Sequence, residues 1–177
     1  YTGIMTDTGS FRFPSTTSTT HKIIGELIDR GADNAKIHDR VFNTNSFSRL
    51  KLKGLALSNL IVLPEYNSAF ITLSQNELSK FNYQKGDTEG LVNYGLSLKG
   101  VYLAAIFIED EEQEIIKISF RSKGSFSVNK FSRNHFEGGG HDNAAGGRSL
   151  MSLEETVKTF LEILPTYKKE LEGAYEN

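Results

Sequence analysis

A glycine-rich segment from Glu137 to Arg148, with the sequence EGGGHDNAAGGR, is the least ordinary stretch of this chain. Three consecutive glycines cost chain entropy on folding, so a fold that contains them usually needs close backbone approach or a positive φ. Successive unhindered N–H groups form a concave anion site, and His141 can donate a hydrogen bond or a proton to an oxyanion. The alternative is a flexible loop with an incidental histidine. The predicted anion-binding loop consists of Gly138, Gly139, Gly140 and His141.

A second basic element, Ser119–Lys123, lies about twenty residues upstream, at the end of a predicted strand. Strand ends are where α/β sheets present ligand contacts. Arg121 offers a planar fork of donors for a phosphate or carboxylate, and Ser122 offers a hydroxyl. Asn129 is a candidate for orienting a ribose or a phosphate. The alternatives are a surface Arg–Glu pair for Arg121 and a helix N-terminal role for Asn129.

A third candidate is Asp7, which lies between two threonines in the sequence TDTG. An aspartate on a loop after a strand can bind Mn²⁺ or Mg²⁺. Aspartic proteases use the same triplet, but they need two copies in a β-rich context, and this chain has one copy followed by predicted helices. Asp7 alone cannot form a hydrolytic metal centre, because such a centre needs several ligands. His21 and His38 are predicted to be surface or packing residues.

The elements that must position these residues are mostly helical before residue 60. The first thirteen residues are predicted to form a short apolar strand end followed by a loop. Three helices are then predicted, one from an N-cap within 15–20 to Gly31, one over Asn34–Phe42 and one from about Ser46 to Asn59. The residues expected to face inward share helical spacing: Ile23, Ile24, Leu27, Ile28, Ile37, Val41, Phe47, Leu50, Leu57 and Leu60.

After residue 60, strands and helices alternate, which predicts a mixed α/β sheet domain. The C-terminal helices, including Tyr167–Tyr175, could pack on the domain or between subunits. Strands are predicted on both sides of a turn within 60–73, over Val101–Glu109 and over Glu114–Arg121, with Asp110–Gln113 as an acidic hairpin tip. Helices are predicted over Gln75–Asn82, Thr88–Leu96 and Val128–His135, and after a capping box at Ser152–Glu155.

Composition limits the classes of function. The 177 residues carry 20 basic and 22 acidic side chains, a net charge of −2 that gives no case for wrapping duplex DNA. The absence of cysteine excludes a disulfide framework, a thiolate zinc site and a cysteine nucleophile. The longest apolar stretches are far shorter than the roughly 20 residues of a membrane helix. With no secretory signal pattern, we expect a cytoplasmic protein.

Taken in order, these motifs resemble the DHH phosphoesterase family. Within that family they look similar to the nano-RNase type, the oligoribonuclease and 3′-phosphoadenosine-5′-phosphate (pAp) phosphatase proteins, some of which are labelled exopolyphosphatase-related. Thr2–Phe13 resembles the last metal-ligand motif of the family's catalytic domain, and Gly138–Gly146 resembles the hallmark of its DHH-associated substrate-binding domain. Thr88–Asn93 and Ser119–Lys123 extend the resemblance over nearly the whole chain.

The resemblance implies an α/β fold, with a mixed β-sheet substrate-binding domain flanked by helices and preceded by a helical remnant of the α/β catalytic domain. Residues 1–50 are then the C-terminal end of the catalytic DHH domain. Residues 51–60 form a linker helix, and residues 61–177 form the DHH-associated substrate-binding domain.

The activity implied by the resemblance is hydrolysis of short oligoribonucleotides (nano-RNA) or pAp to nucleoside monophosphates. Two Mn²⁺ (or Mg²⁺) ions would act in the complete enzyme, and Asp7 is the one catalytic metal ligand represented here. The partners implied are short single-stranded RNA or a nucleotide, with no membrane and with a homodimer left open. The residues implied to hold the substrate's far phosphate and ribose across a cleft between two domains are Arg121, Ser122, Asn129, Gly138, Gly139, Gly140 and His141.

The sequence departs from the family pattern in two ways. The Asp-His-His triplet and the other main metal motifs are missing and are expected upstream of Tyr1, so this chain alone is expected to be inactive and not to retain the ions. Glu137 stands where many members carry a fourth glycine, so we expect a narrower loop or an altered substrate preference. Alternatives are hydrolysis of cyclic dinucleotides, single-stranded DNA or polyphosphate, or a non-catalytic nucleotide-binding module.

Overall fold

The computed structural model describes residues 1–13 and 15–174, and the chain divides into two compact units, Tyr1–Ser46 and Phe47–Asn177. Tyr175, the end of the predicted C-terminal helical segment, lies outside the described residues. Among the residues that are described, none belongs to a helix long and apolar enough to cross a membrane.

The first unit contains three helices, α1 (Thr2–Asp7), α2 (Ser18–Asp29) and α3 (Asn34–Phe42). The prediction of a strand end near the N-terminus was wrong, because these residues form α1. Threonine is a poor helix former, but here the hydroxyl of Thr6 donates to Thr2 O at 3.1 Å and that of Thr8 to Ile4 O at 2.6 Å. These bonds to carbonyls of the preceding turn satisfy the threonine hydroxyls within the short helix.

Caps fix the ends of α2 and α3 near the predicted positions. Thr17 caps α2 through a capping box with Thr20, and the Asp33 carboxylate caps α3. The predicted inward faces were only partly right. Ile24 is buried, whereas three of the other positions are about two-fifths exposed: Ile23, Ile28 and Val41.

The second unit is built on a six-stranded sheet. Its strands are β1 (Ile61–Leu63), β2 (Ser68–Leu73), β3 (Leu103–Asp110), β4 (Ile115–Ser122), β5 (Gly139–His141) and β6 (Ala144–Ser149). They lie in the order β1-β2-β3-β4-β6-β5. Strands β2 and β3 are parallel and the other neighbours are antiparallel, so the predicted mixed sheet with flanking helices is confirmed. The helices are α4 (Phe47–Ser58), α5 (Gln75–Lys80), α6 (Val92–Leu96), α7 (Val128–His135), α8 (Leu153–Ile163) and α9 (Lys168–Gly173).

One face of the sheet is sealed by an aromatic core. Phe107 is fully buried, and its ring centre lies 5.3 Å from that of Phe160 on α8. Phe120 lies 5.3 Å from Phe131 on α7, so both helices are anchored to the central strands through edge-to-face ring contacts. This face therefore has the packing of a protein interior.

The opposite face is covered over only part of its width. Leu52 and Ala56 of α4 pack with Ile71, Ala104 and Ile106 on β2 and β3, and residues of α5 and α6 complete this second core. The predicted linker segment 51–60 thus lies mostly in a helix packed on the sheet. The apolar face predicted for this helix was wrong, because α4 is apolar on more than one side and the sheet selects the side with Leu52. Three of the residues predicted to face inward are 39–76% exposed, Phe47, Leu50 and Leu57, whereas the fourth, Leu60, is half-buried and packs against this core.

Candidate anion-binding site

The glycine-rich segment forms an antiparallel hairpin, so the prediction of a loop was wrong. Strand β5 pairs with β6 in the register Gly139–Gly146, Gly140–Ala145 and His141–Ala144. The two residues between the paired ends, Asp142 and Asn143, form the turn. The segment is therefore a fixed edge of the sheet.

Close backbone approach explains two of the glycines. A Cβ on Gly138 would overlap Gly146 O and the Ser132 hydroxyl, and a Cβ on Gly140 would lie 2.5 Å from Ala144 O. Ser132 is fully buried on α7 and donates a 2.6 Å hydrogen bond to Gly146 O. The absence of side chains lets α7 approach the hairpin.

Strand register brings Arg121 and His141 into one cross-strand row. Ala104 on β3 lies opposite Arg121 on β4, Arg121 lies opposite Ala144 on β6, and Ala144 lies opposite His141 on β5. Directly opposed residues point to the same face of a sheet, and two strand spacings separate Arg121 from His141 by about 10 Å. The small side chain of Ala144 lies between them.

This row belongs to a surface that we call the open face, on the side of β4, β6 and β5 opposite the aromatic core. Its side chains are half-buried or exposed, in contrast to the covered part of the same face over β2 and β3. A Cβ built on Gly146 would meet only Ile118 O, at 3.7 Å, so there is room above the strand. The open face comprises Lys117, Ser119, Arg121, His141, Ala144, Gly146 and Arg148, whereas a Cβ on Gly139 would lie 3.2 Å from Arg133 Nε on α7.

Arg121 is a half-buried cation without an ionic partner among the described residues. Its Nη1 donates to Phe120 O at 2.9 Å, which uses one of the five guanidinium N–H groups. Burial lowers the pKa of Arg121 below its usual value, because desolvation disfavours the charged form. The attraction of a bound anion would offset the free-energy cost of this desolvation, so the guanidinium is suited to bind a phosphate or carboxylate.

Ser122 does not lie on the open face. Its hydroxyl is buried, donates to Phe126 O at 2.6 Å and accepts from Asn143 Nδ2 at 2.9 Å. Asn143 also donates to Gly124 O at 3.1 Å, so this network joins the end of β4 to the hairpin turn. The structure thus gives Ser122 a supporting position next to Arg121.

The Asn129 side chain forms a hydrogen bond with the backbone of β5. Its Oδ1 accepts from Gly140 N at 3.0 Å and from Arg133 Nε at 3.0 Å. One of the glycine N–H groups predicted to bind an anion is therefore already bonded to protein. Asn129 holds the hairpin that presents His141.

A match to the DHHA1 domain covers residues 67–170, which include strands β2 to β6 and the whole open face. The chain belongs to the DHHA1 domain family. The resemblance seen in the sequence is thereby confirmed, and the matched segment contains Arg121, Asn129 and the glycine hairpin.

Relatives of this DHHA1 chain extend the comparison beyond the domain. It is 33% identical over 163 residues to the bifunctional oligoribonuclease and PAP phosphatase NrnA of Bacillus subtilis, covering 92% of this chain and 50% of that protein. The NrnA of Thermus thermophilus is 31% identical, with 91% and 47% covered. The crystal structure of an exopolyphosphatase-related protein from Bacteroides fragilis superposes with a TM-score of 0.91 at 46% identity, covering 96% of this chain and 49% of that one. The chain spans about half the length of the relatives that it matches.

Asp7 lies outside the DHHA1 match, as the last residue of α1. It is exposed, and three residues with positive φ follow it closely: Gly9, Ser10 and Phe11. Non-glycine residues with a positive φ are strained, and such residues cluster at functional sites. Among residues 1–13 and 15–174, however, no three His, Cys, Asp or Glu side chains are grouped to hold a metal ion. The residues present therefore do not fit the two-ion centre implied by the resemblance.

Sequence reasoning missed the DHHA1 residues that support the hairpin from below. Ser132 binds the backbone of β6, and Asp142 Oδ1 accepts from the hydroxyl of Ser127, which caps α7. Asn143 ties the turn to Ser122. The one available signal was the Asp-Asn pair between short runs of small residues, which is typical of a two-residue turn.

Proposed function

We propose that this DHHA1 chain binds the phosphate end of a short oligoribonucleotide or of pAp. It would serve as the substrate-binding part of a metal-dependent phosphoesterase that releases nucleoside monophosphates. The proposal depends on one observation above all, the placement of Arg121 and His141 on either side of Ala144 in one row of the open face. The names of the NrnA relatives support this class of substrate.

The two side chains have complementary tasks in this proposal. The Arg121 guanidinium binds a terminal phosphate through two parallel hydrogen bonds. It is half-buried and has no carboxylate partner among the described residues. The exposed imidazole of His141, about 10 Å away, donates to a second oxygen of the same ligand. Contacts to phosphate and ribose at a chain end do not depend on the base, so they limit substrate length without selecting sequence.

The metal centre belongs to the proposal for the complete enzyme. Asp7 would be one of its ligands, with two Mn²⁺ or Mg²⁺ ions. Because the described residues supply no further grouped ligands, this chain is proposed to bind substrate without hydrolysing it.

The test is a calorimetric titration of this chain with pAp in the absence of metal. We expect binding in the micromolar range and a loss of about 10- to 100-fold in affinity for Arg121→Ala, as for a charge-assisted hydrogen bond in a partly buried site. His141→Ala is expected to weaken binding by a smaller factor, because the imidazole is exposed to solvent.

Lys158→Ala is the matched control, since it removes one exposed positive charge on α8, the helix that packs on the aromatic core on the opposite side of the sheet. An affinity for pAp that is equal in wild type, Arg121→Ala and His141→Ala would remove the row from the site. Competition with inorganic polyphosphate and with a cyclic dinucleotide distinguishes the alternative substrates, because the preferred ligand displaces pAp at the lowest concentration.

A further inference from the structure

The open face carries a pair of cations in addition to the Arg121–His141 row. Arg148 on β6 lies directly opposite Lys117 on β4. Both point to the same side of the sheet as Arg121, and both are four residues along their strands from the Arg121–Ala144 pair. Four strand residues span about 13 Å, so this pair lies beyond the reach of a phosphate held by Arg121.

Each cation of this pair has a carboxylate partner. Lys117 forms an ion pair with Asp110, and Arg148 Nε donates to Glu137 Oε2 at 3.1 Å. The side chains of Arg148 and Glu137 are 60% and 64% exposed, so the Arg148 guanidinium is accessible from solvent. Removing the Glu137 carboxylate would therefore leave a guanidinium available to an incoming anion.

Glu137 occupies a backbone position that suits glycine better. Its φ is +32°, in the left-handed region where a side chain is strained. It directly precedes the three glycines of the hairpin, and its carboxylate makes its hydrogen bond to Arg148. The backbone does not favour glutamate at this position, and its carboxylate places a negative charge next to Arg148.

We propose that Glu137 is a specificity-determining residue that restricts the open face to very short anionic ligands. By neutralising Arg148, it removes the attraction that the far end of the face would otherwise exert on a further phosphate of a longer chain. Glu137 acts through Arg148 and is thus a positioning residue. The inference rests on the proposed function, because it assumes a phosphate end at Arg121.

The test compares two 5′-phosphorylated, fluorescently labelled oligoribonucleotides, a dinucleotide and a pentanucleotide, by anisotropy at several salt concentrations. Glu137→Gln is expected to tighten pentanucleotide binding by about 3- to 10-fold, as for one added phosphate contact on an exposed surface, and to leave dinucleotide binding unchanged. The dependence of log K on log salt should steepen by about 0.7 for the pentanucleotide alone, the value for one further phosphate of a single strand. Adding Arg148→Ala to Glu137→Gln should abolish both gains.

The matched control is Glu162→Gln, which removes an exposed, lysine-paired carboxylate on α8. Equal tightening of both lengths by Glu137→Gln and by Glu162→Gln would show a net-charge effect and overturn the inference. An unchanged pentanucleotide affinity in Glu137→Gln would overturn it as well, provided that thermal unfolding shows the variant folded. If wild type binds neither oligonucleotide, the proposed function fails together with this inference. Binding of both with no length-dependent effect of Glu137 overturns the inference alone.

Discussion

The covered and open parts of one sheet face use small residues for opposite purposes. In the covered part, Ala69 and Ala104 lie beneath Gly95 of α6, where an added Cβ would lie 3.5 Å and 3.3 Å from their Cβ atoms. Farther along the same cross-strand row, Ala144 is only half-buried, with Arg121 and His141 on the neighbouring strands. Small side chains admit a helix in the first case and leave room between two donors in the second.

The largest expected effect comes from the backbone contact that fixes the open part. Gly138→Ala places a Cβ against Gly146 O and the Ser132 hydroxyl, so the hairpin and α7 must separate. We expect a loss of about 3 kcal/mol in the free energy of unfolding, which is typical of overpacking against a fixed backbone. Urea denaturation measures it.

Gly146→Ala is the control for this substitution, because it adds the same methyl group to the same hairpin. Its Cβ meets only Ile118 O at 3.7 Å, an ordinary contact, so the free energy of unfolding should change by less than about 1 kcal/mol. Equal losses for the two variants would show that the hairpin tolerates glycine alone at both positions and that the approach of α7 is not the cause.

The next prediction compares the same substitution, alanine to leucine, in the covered and the open part of the row. Ala104→Leu forces a larger side chain into the fully packed contact with α6 and should cost about 1–3 kcal/mol of stability. Ala144→Leu adds the same atoms to the open face and should change stability by no more than about 0.5 kcal/mol, as for a surface substitution. It should nevertheless weaken pAp binding, because it fills the space between Arg121 and His141.

Thermal unfolding and calorimetry on the same two variants check this prediction. The comparison fails if Ala144→Leu unfolds as easily as Ala104→Leu, since Ala144 would then be a packing residue. It also fails if Ala144→Leu is stable and binds pAp with wild-type affinity, since the space beside Ala144 would then have no part in binding.

Local signals were enough to predict the positions of several elements. The Thr17 and Ser152 caps begin α2 and α8 where expected, and Asn34–Phe42 and Val128–His135 have the predicted bounds. These features depend on hydrogen bonds within one or two turns, which the sequence states directly. Arg121 and His141 were candidates for the same reason, since their chemistry is local to each residue.

Contacts between distant segments were not predictable from these signals. The sheet, and not the periodicity, selects Leu52 over Leu50 on α4 as the inward residue. The glycines form a hairpin because β6 pairs with β4, a partner about thirty residues away along the chain. Ser122 is withdrawn from the open face by Phe126 O and Asn143, a fact that depends on a turn formed only in the folded domain.

The smallest expected effects are the contributions of two carboxylates, Glu77 and Asp110, to the free energy of unfolding, which depend on pH. On the covered side, burial raises the pKa of Glu77, but hydrogen bonds from Ser74 and Asn59 outweigh this and hold it below its usual value of 4.5. At the border of the open face, Asp110 on β3 accepts a hydrogen bond from Lys117, which lowers the pKa of Asp110 below 3.8. Each carboxylate therefore contributes its full stabilisation at pH values above its usual pKa, which applies in the unfolded chain. The stabilisation is lost as the pH falls through the lower pKa of the folded state.

We expect Glu77→Ala to cost about 1 kcal/mol at neutral pH, because it removes half of a capping box and the bond to Asn59. Asp110→Ala should cost less, about 0.5 kcal/mol, because Lys117 is half-exposed. Urea denaturation across the acid range should show both differences shrinking as the carboxylates protonate. At about 1 M salt, where charges are screened within about 3 Å, the cost of Asp110→Ala should shrink while that of Glu77→Ala persists. A salt-sensitive Glu77 would mean that α5 is held on the sheet by charge, and the covered part would then differ from the open part in packing but not in electrostatics.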